Sequence, residues 1–155
     1  MLDTFRLAAA KFIQTVDSAA ATEADAFLTN MSHRLAELYC YALALPVVEP
    51  DTSGIDETQF SIEELAKLRD SLRDKLGALD AYWQVFDTTE NEDPVQGTLA
   101  GDISEIYFDL KEDLAREGNG VSEADVLFDL RLAFRSHWGK HLLHALLAIH
   151  DGHIA

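Results

Sequence analysis

Cysteine is almost missing from this chain: Cys40 stands alone among 155 residues. That excludes an internal disulfide framework and a cysteine-based zinc site within one copy, and leaves Cys40 to be read as a small core residue. Basic residues are scarce as well. Lys+Arg number 12 against 28 Asp+Glu, and the formal charge of −16 repels phosphate backbones and anionic lipid headgroups alike. Nucleic acid and membrane surfaces are therefore not expected as partners; solubility, a basic protein partner or divalent cations are the uses left for such acidity. Nowhere do eighteen uncharged apolar residues follow one another, and Met1-Leu2-Asp3-Thr4-Phe5-Arg6 is not a basic leader ahead of an apolar run, so neither a membrane span nor a signal peptide is expected and the protein is read as cytoplasmic. The sequon Asn30-Met31-Ser32 falls inside a helical pattern and is set aside. Phosphate-binding glycine loops, the Gly-x-Ser-x-Gly nucleophile turn and Cys-x-x-Cys are all missing, which removes nucleotide cradles, nucleophile elbows and redox pairs at the level of motif.

What is present is an ordinary globular composition, 48% hydrophobic and 26% charged. The length suits a single domain, residues 1–155, burying roughly two thirds of the surface of its unfolded chain. Leu2, Phe5, Ala9, Phe12, Ile13 and Val16 recur at helical intervals, as do Leu28, Met31, Leu35, Leu38, Ala42 and Leu45. Thr22 or Asp25 can cap the second helix, and Pro46 closes it. After a loop with Pro50, Ser53 and Gly54, the run Ser61-Ile62-Glu63-Glu64 is a capping box. A third stripe, Ile62, Leu65, Leu68, Leu72, Leu76, Leu79 and Trp83, predicts a helix continuing to about Phe86 in spite of Gly77. An acidic connection over 87–96 precedes a fourth stripe, Leu99, Ile103, Ile106, Leu110 and Leu114, which Gly118-Asn119-Gly120 ends. Ser122 then caps a fifth helix running to about His150. With no strand-length alternation of period two, the expected fold is all-α: a single-domain antiparallel bundle of about five amphipathic helices.

Five of the six histidines fall in the last nineteen residues. At roughly 100° per residue, His137, His141 and His144 share one sector of the fifth helix with Leu127, Leu130, Phe134 and Ala148, and are expected to point inward. A buried imidazole left unpaired costs on the order of 1–3 kcal/mol, so each needs a hydrogen-bond partner, a carboxylate or a metal. A hairpin turning at Asn119 and Gly120 brings Asp102 level with His137, Thr98 with His141, and Asp109 with Leu130 and Arg131. Two readings share this geometry. In one, Asp102, His137, His141 and His144 hold a divalent metal such as zinc, iron or manganese, a metal-dependent hydrolase being one use of such a centre. In the other, no cofactor is involved: Asp102 accepts from His137, Asp109 pairs with Arg131, and Trp138 and Gly139 allow close helix packing. The architectural reading is the commoner outcome, since His-x-x-x-His lacks here the adjacent Glu of metalloproteases and no Glu-x-x-His of two-metal bundles occurs. Glu63-Glu64 and Asp102-x-x-Glu105 are of the kind that hold magnesium against phosphates in all-α nucleotide pyrophosphatases, but solvated helix faces and dipole partners account for them. Tyr82-Trp83-Gln84-Val85-Phe86 is aromatic bulk beside an acidic linker, either a capped end of the core or a partner groove.

Three segments, Tyr82-Trp83-Gln84-Val85-Phe86-Asp87, then Leu99-Ala100-Gly101-Asp102-Ile103-Ser104-Glu105-Ile106-Tyr107-Phe108-Asp109-Leu110-Lys111, then His137-Trp138-Gly139-Lys140-His141, together resemble the bacterial family catalogued as domain of unknown function 5063. The likeness is strong over about 82–150 and extends weakly forward through Leu38-Tyr39, Leu43, Leu45 and Pro46. It departs at Thr88, where the family tends to have proline, and at Gly101, where a second acid precedes the Asp at 102. The resemblance implies a single-domain cytoplasmic bacterial protein and brings no catalytic residues with it. The expectation for function is a non-enzymatic helical bundle acting through contacts with a protein partner, with the metal-binding bundle as the alternative.

Overall fold

The computed structural model describes residues 2–51, 61–117 and 119–154. Helices α1 (Leu2–Asp17) and α2 (Ala24–Leu43) form an antiparallel pair, tied on its flank by Lys11 to Glu37 at 2.9 Å. Their stripes behave as their spacing demands: Phe5, Ala9, Phe12 and Val16 from the first and Leu28, Met31, Leu35, Leu38 and Ala42 from the second are all buried. The residue at the N-cap of α2 is Glu23, between the two expected caps, one position after Thr22 and two before Asp25. Cys40 is exposed, on the outer side of α2, and not in the core.

Helix α3 (Ile62–Leu76) starts at the expected capping box, with the Ser61 side chain accepting from the Glu64 N–H and Glu64 reaching back to the Ser61 N–H. It stops about ten residues short of the expected end near Phe86. Gly77 adopts φ +52°, a conformation other residues resist, and a short 3₁₀ turn over Gly77–Leu79 follows. Only Leu72 and Leu76 of α3 are buried, while Ile62 and Trp83 stand in solvent.

Beyond the 3₁₀ turn the chain becomes a strand. β1 (Ala81–Gln84) pairs antiparallel with β2 (Val95–Thr98), Tyr82 opposite Gly97 and Gln84 opposite Val95. Aromatic and β-branched side chains at 82–86 suit a pleated ribbon better than a helix end, and the connection between the strands contains Pro94. β2 leads directly into α4 (Leu99–Glu117), whose first turn is capped by buried Asp80: its carboxylate accepts from the Ala100 N–H at 2.7 Å, and its backbone carbonyl from Leu99 at 2.9 Å. The stripe Leu99, Ile103, Ile106 and Leu110 is buried as expected.

Gly120, at φ +87°, turns the chain toward α5 (Glu123–Ala133), capped by Ser122. Ser53, Gly54 and Gly118, named above as loop and turn residues, lie outside the described residues. Arg131 donates to the Leu45 carbonyl at 2.6 Å, and Asp125 accepts from the Asp51 N–H at 2.7 Å, so the exit of α2 is fastened to α5. α5 does not run straight on. A single π turn, Phe134–Trp138, joins it to α6 (Gly139–Ile149). That turn slips the helix frame by one residue: Trp138, Leu142, Ala145 and Ile149 enter the core in place of positions 137, 141, 144 and 148. α4 lies between α3 on one side and α5 and α6 on the other, and α2 closes the core against α6. The architecture is mainly α, as expected, with one two-stranded ribbon added.

Candidate functional site

The frame slip moves the three histidines from the core to its rim. His137 is 45% exposed, His141 31%, and His144 is also half-buried, so the expectation that the rings point into the interior is corrected to a position facing α4 along the edge of the bundle. The acid partners follow the same shift. His141 Nδ1 lies 2.7 Å from Asp102 Oδ1, and His137 Nδ1 lies 2.7 Å from Asp109 Oδ2. The simple hairpin register put Asp102 beside His137 and Asp109 beside Leu130 and Arg131; the first pairing is displaced by one turn and the second by nearly two. Arg131 serves the Leu45 carbonyl instead, and the Thr98 hydroxyl accepts from the Gly101 N–H at 3.2 Å.

Asp102 is itself buried, 5% exposed, and its second oxygen accepts a short hydrogen bond from the Tyr82 hydroxyl. Tyr82 reaches it because the residue opposite on β2 is Gly97: a Cβ there would stand 2.7 Å from the Tyr82 ring. The Gln84 side-chain amide touches the same hydroxyl at 3.1 Å. Sequence reasoning missed Tyr82 as a member of this network; the available signal was the aromatic run after Gly77 read as a strand, with Tyr82 and Gln84 on one face.

The electrostatics follow from these contacts. The hydrogen bond from His141 to Asp102 raises the imidazole pKa, burial opposes it, and Glu105 and Asp109 add negative charge that raises it further. His144, held by no carboxylate in this way, is lowered mainly by burial, with His141 and Lys140 also disfavouring its charge. Burial first, then the Asp102 bond, push the Tyr82 phenol far above its usual range, so it remains a donor. A carboxylate can only accept, so Nδ1 of both His141 and His137 carries the shared proton, and in the neutral rings the Nε2 lone pairs are left for other partners. The rings sit edge to face with centroids 4.8 Å apart. Asp102, His137, His141 and His144 are not gathered into one cluster: among the described residues no three His, Cys, Asp or Glu side chains converge on a point that could hold an ion.

Behind the histidines, Trp138 is fully buried against Phe5 and Phe134, with ring centroids 6.3 and 4.8 Å away. Gly139 is the other half of that packing. A Cβ at 139 would lie 2.2 Å from the Phe134 carbonyl oxygen, so the π turn requires glycine there.

A second feature adjoins the network through Tyr82 and His144. A largely apolar groove of about 650 Å³ runs between β1 and the end of α6, lined by Leu28, Leu79, Trp83, Val85, Leu147 and Ile149 among others. Trp83 and Leu147 on its walls are 71% and 59% exposed. Every residue of β1 lines it, which places the strand's outer edge along the groove. Since Leu99 donates to the Asp80 carbonyl in the same ladder, alternation assigns the backbone groups of Tyr82 and Gln84 to β2 and those of Ala81 and Trp83 to that outer edge. Among the described residues no further strand pairs there. Lys140 over the Phe86 ring, 4.2 Å from its centroid, pins the segment after β1 to α6.

No helix among the described residues is long and apolar enough to cross a membrane. No curated protein matches the chain. The crystal structure of protein BF1032 from Bacteroides fragilis is similar, with a TM-score of 0.82 and 25% sequence identity over 96% of this chain and 89% of that one. With residues 1–154 matched by its model, the chain belongs to the family described as domain of unknown function DUF5063.

Proposed function

We propose that this protein is a cytoplasmic, non-enzymatic interaction module that takes an extended apolar segment of a partner protein along the outer edge of β1. The observation that carries this reading is the edge of β1, which no other strand among the described residues pairs, lying along the apolar groove with Trp83 and Leu147 exposed on either side. Exposed backbone donors and acceptors on a strand edge are a template for an added strand, and side-chain pockets beside the edge supply selectivity. Large aromatic side chains flanking such a groove are the residue type that dominates binding energy at interfaces. The charge of −16 favours segments with basic flanks and speeds their encounter.

The test is selection of displayed linear peptides against the full-length chain, followed by binding measurements on the enriched sequences. Alternating apolar peptides with Lys or Arg at their ends are expected, and Trp83→Ala and Leu147→Asp are each expected to weaken them by tenfold or more. Enrichment of no linear peptide, or undiminished binding to both variants, would rule the reading out.

A further inference from the structure

We infer that His137 and His141 form a binding site for an imidazole-preferring divalent cation, zinc being the type, in which the two Nε2 atoms are the ligands and Asp102 and Asp109 orient the rings without ligating. This goes beyond the groove reading and does not depend on it.

The assignment starts from where each polar atom is already committed. Both oxygens of Asp102 are occupied, one by His141 Nδ1 and the other by the Tyr82 hydroxyl, and the carboxylate is buried. It is badly placed to turn toward an ion and well placed to hold a ring. Asp109 does the same for His137. A metal-ligating imidazole usually donates its other ring N–H to a carboxylate or carbonyl, which fixes the tautomer and raises the basicity of the ligating nitrogen. Here two imidazoles one helical turn apart each carry that carboxylate, at the same 2.7 Å. Water can satisfy His137, which is 45% exposed on the bundle rim, so its matched acid partner is not a requirement of packing.

The rings' edge-to-face packing, centroids 4.8 Å apart, keeps them on one patch, and their exposure leaves a path for an ion from solvent. Histidines at i and i+4 on one helix face are a recurrent pair of zinc ligands. The π turn Phe134–Trp138 ends immediately beside them, and the buried Trp138 and Gly139 between them fix the backbone that carries both. Single π turns of this kind recur at functional sites. With no third protein ligand among the described residues, the remaining coordination positions fall to water or to an exogenous donor. Imidazole donors favour zinc, copper and nickel over magnesium and calcium, which sets the chemical class.

The experiment uses full-length, untagged, metal-stripped protein titrated with zinc chloride, read by calorimetry, and with cobalt(II), read by its visible absorption. Saturable binding of one ion per chain is expected. His137→Ala and His141→Ala should each lower affinity by tenfold or more. Asp102→Asn should weaken binding about 10- to 100-fold while retaining the stoichiometry, the effect of an orienting partner. His144→Ala should leave the affinity within a factor of two. Loss of saturable binding in Asp102→Asn with none in His141→Ala would make the carboxylate the ligand and overturn the assignment. So would zinc uptake that is non-saturating, or unchanged in both His137→Ala and His141→Ala. Should His141→Ala unfold, His141→Gln and His137→Ala carry the comparison, with far-ultraviolet circular dichroism reporting the fold.

Discussion

Replacing Gly139 by alanine adds one methyl group where the structure has no room for it. The new Cβ would stand 2.2 Å from the Phe134 carbonyl oxygen and 2.8 Å from the Phe134 ring. The ring can give way, but the carbonyl belongs to the backbone of the π turn. Two responses are open to the chain. It can keep the turn and accept the strain, at about 2–3 kcal/mol for overpacking against a rigid neighbour. It can instead unwind the turn into regular α-helix, which rotates everything after it by about 100°. The second response lifts Leu142, Ala145 and Ile149 out of the core, and burial of Leu142 and Ile149 alone contributes about 1.5–3 kcal/mol each. Keeping the turn is the lesser cost, so Gly139→Ala is expected to lose about 2–3 kcal/mol with the fold intact. For a chain of this length that lowers the melting temperature by about 5–10 °C. Urea melts followed by circular dichroism measure it, with Gly152→Ala as control, since nothing lies within 4 Å of a Cβ at 152. A Gly139→Ala protein within about 0.5 kcal/mol of the parent would refute the claim that the π turn demands glycine.

Two further outcomes follow from buried carboxylates. Burial first, then the charges of Asp109, Asp129 and Glu112, push the Asp113 carboxyl up to about 7 in spite of Arg116, whose closer contact, 2.6 Å, is with Asp129 and not with Asp113 at 3.7 Å. The folded state then holds a proton that the unfolded chain releases near its ordinary value of about 3.9, so this stabilisation is complete below that pH and is lost as pH rises through 7, on the order of 4 kcal/mol; Asp113→Asn should raise the urea midpoint at about pH 8 and leave it nearly unchanged at about pH 4, and an identical pH slope in parent and variant would count against it. Asp80→Ala removes the carboxylate that caps α4 and should cost about 1–2 kcal/mol in the same melts, with Asp80→Asn recovering much of it; equal stability of all three would show that the backbone bond from Leu99 suffices.

The helices that periodicity placed well are those whose apolar stripes meet the core along their full length. α1, α2 and α4 bury most of the residues their spacing names, with Leu2, Ile13 and Leu114 half-buried against the core, and both serine caps, Ser61 and Ser122, stand where the motifs put them. Periodicity failed where a local conformation outweighs it. The stripe from Ile62 to Trp83 is continuous in sequence, yet Gly77 takes positive φ and the chain leaves the helix, so Trp83 is exposed and not part of the stripe. Counting 3.6 residues per turn through Phe134–Trp138 also fails, because a π turn inserts one residue without a mark in the hydrophobic pattern. That the C-terminal histidines would meet carboxylates of the preceding helix was legible; which histidine meets which acid was not, since the pairing depends on that slip and on the length of the turn between α4 and α5.

The ribbon explains why one short stretch serves two purposes. In a strand, alternate side chains face opposite ways, and alternate backbone groups address opposite edges. Tyr82 and Gln84 turn inward, where Tyr82 fixes the buried oxygen of Asp102, and their backbone groups pair with β2. Ala81 and Trp83 turn outward, and their backbone groups face the groove. A helix over the same residues, as the apolar stripe suggested, would satisfy its backbone internally and present no free edge. It would also deny Tyr82 the close approach over Gly97 that brings its hydroxyl to Asp102. The early stop at Gly77 is therefore the condition for both features: it creates the strand edge beside the groove and supplies the second bond that holds Asp102 in place behind His141.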